Sequence, residues 1–174
     1  MTKGEAREQF LRYLGAATVN GAARSDADLK DGFDYLLWPA VLQAAAQFPT
    51  MKTAYVCGEW NVPEDFFELV AAVGEDQSPV SWRRTGERSY RFEEPCTAEY
   101  TVLPSAILPQ APDETEIPLD DRTAMLVPVR AAIDAAVSSE EYAFRVPYLT
   151  AAYNGLLSVL GEQNAPSRRR VYAV

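Results

Sequence analysis

The sequence predicts an α+β protein: a helical bundle of three to four helices with an inserted small antiparallel β-sheet. Three observations predict it. Apolar residues recur every three to four positions toward both ends of the chain, the period of a buried helix face. Between residues 51 and 103 the pattern changes to short alternating segments separated by Gly, Pro and acidic clusters, which is how strands and turns read. The stretch 104–121 is then interrupted by Pro104, Pro109, Pro112 and Pro118, each of which fixes φ and lacks an amide donor, so that neither strand nor helix continues through it. The expected organisation is one domain over 1–162, with helices at 4–14, 25–48, 120–137 and 140–161 and the sheet inserted at 51–103. A tail over 163–174 follows.

The first helix rests on Phe10, Leu11 and Leu14, which share a face opposite Arg7 and Glu8. Ser25 is the expected N-cap of the second, with Asp26 and Asp28 in its first turn. Its buried stripe is Leu29, Phe33, Leu36, Leu37, Ala40, Val41, Ala44 and Phe48. Pro39 removes one hydrogen bond and is expected to bend this helix near Tyr35; Pro49 ends it. In the middle region Thr53, Tyr55 and Cys57 alternate with Lys52, Ala54 and Val56 until Gly58 breaks the run. Phe66 to Val73 reads as a strand after a Pro63-Glu64-Asp65 turn, and Gly74, Glu75 and Asp76 turn the chain again. Ser81 to Trp82 and Tyr90 to Phe92 form a hairpin whose permissive turn position is Gly86. Ala98 to Leu103 completes one sheet of four or five strands.

Asp120 and Asp121 suit a helix N-terminus, and Leu126, Val129, Ile133 and Val137 follow at helical spacing. Ser138 and Glu141 have the spacing of a capping box for the last helix, whose stripe is Tyr142, Val146, Leu149, Tyr153, Leu156 and Leu160. Pro147 falls within this pattern, so the helix either begins there or is kinked there. Gly161 is the expected C-cap.

Composition narrows the function. Sixteen Lys and Arg stand against twenty-five Asp and Glu, a net charge of −9, which opposes a surface built to grip phosphates. The chain has no histidine, which removes histidine-activated nucleophiles and every zinc site that needs imidazole. No run approaches the roughly 20 apolar residues of a membrane helix. The acidic start MTKGEAREQF is unlike a signal peptide, so the chain is expected to be made in the cytoplasm and to meet no membrane. Cys57 and Cys96 read as reduced, buried small hydrophobes. Neither a cofactor nor a metal is predicted. The acids Asp113, Glu114, Glu116, Asp120 and Asp121 lack the glycine and terminal glutamate of a calcium loop and read as a solvated loop with a helix cap. The pairs Glu64–Asp65 and Glu93–Glu94 have the chemistry for acid–base work but no pocket to specify a substrate.

Two segments remain. Trp82, Tyr90 and Phe92 alternate with Arg83, Arg84, Arg88 and Arg91 around the hairpin. Such interleaving can stack on nucleic acid, meet a protein partner, or simply have one face on the core and the other in water. The basic end Arg168, Arg169, Arg170 precedes the β-prone Val171, Tyr172, Ala173, Val174; it either docks on a partner, for instance by adding a strand, or frays.

The order of parts resembles the tailed-bacteriophage head–tail adaptor (connector) family. The resemblance covers nearly the whole chain: a two-helix start ending in AAAQFP, the turn and strand VPEDFFELVAAV, the later EYTVLPSAIL, the acid–proline linker DETEIPLDD, two closing helices and a short tail. It implies a structural virion protein and not an enzyme: a ring of about twelve copies seated in the neck between the portal protein and a downstream tail or neck protein. DNA passes through its channel without specific binding. By the same resemblance Arg168 to Val174 is the portal-binding tail, and the hairpin residues Trp82, Arg83, Arg84, Arg88 and Tyr90 face the next tail component. The readings from other classes are a small acidic binding module that mimics DNA and a carboxylate-dependent enzyme.

Overall fold

The structure, a computed structural model, describes residues 1–15 and 27–168. It is α+β and divides into two compact units, Met1–Ala46 with Ala106–Val174, and Gln47–Ser105.

In the helical unit, α1 (Lys3–Leu14) opens with Thr2 as N-cap. The Thr2 hydroxyl accepts from the Glu5 amide while the Glu5 carboxylate accepts from the Thr2 amide. The proline-rich linker then lies against this end: the amides of Lys3 and Gly4 donate to the carbonyls of Thr115 and Asp113, so two orphan donors of α1 are satisfied by distant chain. A Cβ on Gly4 would stand 3.2 Å from the Asp113 Cβ, which explains glycine there. Helix α2 (Ala27–Gln47) buries Phe33, Leu37, Ala40, Val41 and Ala44 and continues through Pro39. The expected cap Ser25 lies outside the described residues. Phe33 meets Phe10 of α1 with ring centroids 5.1 Å apart.

The expected helix 120–137 is two helices, α3 (Asp121–Ala124) and α4 (Leu126–Val137). Pro128 is the reason: it has no amide to offer the Ala124 carbonyl, so the ladder breaks at Met125 and Pro128 falls in the first turn of α4, where no donor is needed. Helix α4 packs against both α1 and α5 and is buried along most of its length, from Leu126 to Ala136. Ser138 is not the cap of a following helix. Its hydroxyl donates back to the Asp134 carbonyl at 2.7 Å and closes α4 instead. After a 3-10 turn at Ala143–Arg145, α5 runs from Val146 to Arg168 with Pro147 at its second position. The helix therefore begins near Pro147 and does not cover 140–145. Gly161 does not end it, because its backbone stays helical and never enters the left-handed region a C-cap requires. Residues 163–168, expected in the tail, continue this helix.

The β unit holds two antiparallel three-stranded sheets where one sheet is expected. The first has β1 (Thr50–Val56) and β3 (Phe66–Val73) on either side of β6 (Cys96–Val102); the second has β2 (Glu59–Asn61) and β4 (Trp82–Arg84) on either side of β5 (Ser89–Phe92). Gly58, at φ 72°, turns the chain out of the first sheet and into the second, and its carbonyl accepts from the Phe92 amide. Strand β2 is only three residues long, too short to show an alternation. The sheets share one core of Val56, Leu69, Ala72, Val80, Phe92, Cys96, Ala98 and Tyr100. Trp60 joins them, its ring 5.4–6.1 Å from those of Phe66, Phe92 and Tyr100. Both cysteines are free, but only Cys96 is buried; Cys57, beyond the end of β1, is exposed. Burial pushes the Cys96 thiol up, the chemistry of a packed group and not of a nucleophile.

Candidate binding surface on the β4–β5 hairpin

Trp82, Arg83 and Arg84 form β4, Tyr90 lies on β5, and Arg88 is in the loop between them. The strands pair as Trp82 with Phe92, Arg83 with Arg91, and Arg84 with Tyr90. Across Gly86 the loop is closed by the Thr85 amide donating to the Ser89 carbonyl at 2.9 Å and by a bond between the two hydroxyls. Side chains alternate along each strand, so Phe92 and Tyr90 face the core while Arg83 and Arg91 face away. Trp82 keeps 44% of its surface exposed and meets Tyr90 edge-on at 5.5 Å.

The arginines differ in what holds them. Arg84 folds back over its own loop, donating to the carbonyls of Gly86 and Glu87. Arg88 donates to the Pro63 carbonyl at 2.7 Å and thereby ties the hairpin to the turn before β3. Both also line a shallow groove of about 310 Å³ with Val62, Glu64, Phe66 and Tyr90. Arg91, absent from the expected contact set, lies opposite Arg83, and neither guanidinium makes a hydrogen bond or ion pair among the described residues. Alternation counted outward from the buried Phe92 is the signal that places Arg91 with Arg83 on one face.

The remaining candidates are brought together differently. Arg168 is the last residue of α5; Arg169, Arg170, Val171, Tyr172, Ala173 and Val174 lie outside the described residues. The linker acids are dispersed among structural tasks. Asp113 pairs with Arg7 at 2.7 Å, Asp120 caps α3 through the amides of Arg122 and Thr123, and Asp121 meets the Met1 amine at 3.2 Å. Asp65 binds Lys52 at 2.6 Å and raises its pKa, while Glu64, Glu93 and Glu94 are exposed. Among the described residues no three Asp, Glu or Cys side chains gather where a metal ion would be held, and no helix is long and apolar enough to cross a membrane. No protein-family model matches the chain, and no curated protein matches it.

Proposed function

We propose that this chain is a structural virion subunit: a head–tail adaptor whose helices form a bundle and whose copies form a ring, of about twelve by the resemblance. The ring lies between portal and tail and leaves a channel for DNA. The observation that carries this reading is the outward face of α5. From Val146 to Gly161 the helix has no charged residue, yet Tyr148, Ala151, Asn154, Gly155 and Val159 are exposed. A helix that borders water ordinarily carries charge on that side. An uncharged face that mixes small, apolar and neutral polar residues, next to the exposed Phe144, suits a neighbouring copy. The net charge of −9 suits a channel that DNA crosses without sticking. The basic end Arg168–Val174 remains the segment assigned to the portal. No specific observation favours the acidic mimic or the enzyme.

Mass photometry of the purified chain, alone and mixed with portal rings, tests this. The expected result is a discrete higher-mass species in the presence of portal. Gly155→Arg sharpens it: a Cβ at Gly155 meets nothing within 4 Å, so the subunit folds normally, with a gain in helix propensity, while the ring is obstructed. A chain that never joins a portal or tail complex under assembly conditions overturns the reading.

A further inference from the structure

Residues 81–92 carry four arginines against Glu87 alone, whereas the rest of the β unit, 47–80 and 93–105, carries Lys52 against nine acids. Within that positive island Arg84 and Arg88 are engaged by backbone carbonyls. Arg83 and Arg91 are not: they face each other across the β4–β5 ladder, on the side away from the core. Like charges placed directly opposite destabilise a sheet, so folding gains nothing from this pair. Glu59 continues the same row on β2, opposite Arg91, but among the described residues makes no ion pair with it.

We propose that Arg83 and Arg91 recognise an extended acidic segment of a protein partner, each guanidinium taking one carboxylate in a two-pronged pair. Arginine is suited to this because its planar fork matches a carboxylate in a fixed geometry that lysine cannot reproduce. A protein segment is favoured over a nucleic-acid backbone by charge: the surrounding acids of the unit would repel phosphates running beyond the two arginines, whereas a peptide presents carboxylates only where they are needed. The placing of that partner in a phage neck rests on the adaptor reading; the acid-recognising surface does not.

Fluorescence anisotropy on the full chain with a labelled oligoglutamate peptide tests the proposal, with oligolysine and a short duplex DNA as parallel probes. Oligoglutamate is expected to bind, more weakly as salt rises, and the double variant Arg83→Gln/Arg91→Gln to lose about tenfold or more in affinity. Arg83→Lys/Arg91→Lys keeps the charge but not the fork and should fall between. An unchanged far-ultraviolet spectrum establishes that the variants are folded. Absence of oligoglutamate binding, equal binding by the double glutamine variant, or tighter binding of the duplex overturns the proposal. If oligoglutamate binds but no assembly with portal forms, only the adaptor reading falls; if assembly forms without peptide binding, only this inference falls.

Discussion

The helical unit and the β unit spend positive charge in opposite ways. In the helical unit Lys3 is 1% exposed, and its ammonium donates to the carbonyls of Pro109 and Ala111 while pairing with Asp34 at 3.2 Å. Arg7 bridges Asp34 and Asp113, both at 2.7 Å, and Arg130 pairs with Asp134 one turn along α4 at 2.6 Å. Burial opposes the charge on Arg7, but the two carboxylates outweigh it and raise its pKa. Lys3 and Arg7 thereby join α1, α2 and the linker, whereas the Arg130 pair stays within α4. In the β unit, the guanidiniums of Arg84 and Arg88 reach backbone carbonyls, and those of Arg83 and Arg91 have no partner among the described residues. A paired, buried cation is a structural tie whose loss leaves its partners stranded; an exposed, unpaired one costs the fold little and is free to meet something else.

That contrast can be broken most severely at Lys3. Lys3→Met leaves two carbonyls without a donor and weakens the hold on Asp34, so urea denaturation should show a loss of about 3–5 kcal/mol. A loss under 1 kcal/mol would mean the buried ammonium is not a tie. Next is Trp60→Ala, which removes the ring at the centre of the β unit's aromatic cluster. A loss of about 3 kcal/mol is expected, and hydrogen exchange should place the loosened amides between residues 47 and 105 while those of α4 stay protected. Smaller is Asp120→Ala, which removes the cap of α3 at a cost of about 1 kcal/mol.

Asp120 also carries a pH signature. Burial pushes its carboxyl up, but hydrogen bonds from the Thr123 hydroxyl and from the Thr123 and Arg122 amides outweigh this and hold its pKa below the ordinary value. Its folded pKa is depressed, so its contribution is complete above the unfolded value, near 4, and is lost as pH falls through the lower folded value. Asp120→Asn, which caps about as well, should flatten that part of an acid titration followed by circular dichroism. The smallest effect belongs to Arg83→Thr. Relieving the opposed charges should leave stability within about 0.5 kcal/mol of the parent, or slightly above it, in thermal melts. A clear loss there would give the hairpin arginine a structural role and erase the contrast between the units.

Much of the fold is legible because local chemistry decides it. The stripe Phe33, Leu37, Val41, Ala44 and the stripe Leu149, Tyr153, Leu160 are read from spacing alone, since one face of a helix must be buried. Gly86 marks the hairpin turn, and the Thr2-to-Glu5 spacing carries a capping box that is legible in the sequence. Where the structure departs from the expected elements, a competing local rule won. Pro128 split one expected helix, and the Ser138 hydroxyl turned back onto α4 and left the next helix uncapped. In α5 the glycine at 161 simply stayed helical.

The sequence by itself determined the class of the protein, the helix faces, the hairpin and its cluster of arginines, because each follows from periodicity or from what one residue does to its own backbone. Only the tertiary structure decided that Lys3 is buried, that the strands form two sheets, and that Arg83 and Arg91 share a face without a counterion among the described residues. Those outcomes depend on which distant groups come within hydrogen-bonding reach. For Lys3 the partners lie beyond residue 30, at Asp34, Pro109 and Ala111, and no local pattern encodes a contact across that separation.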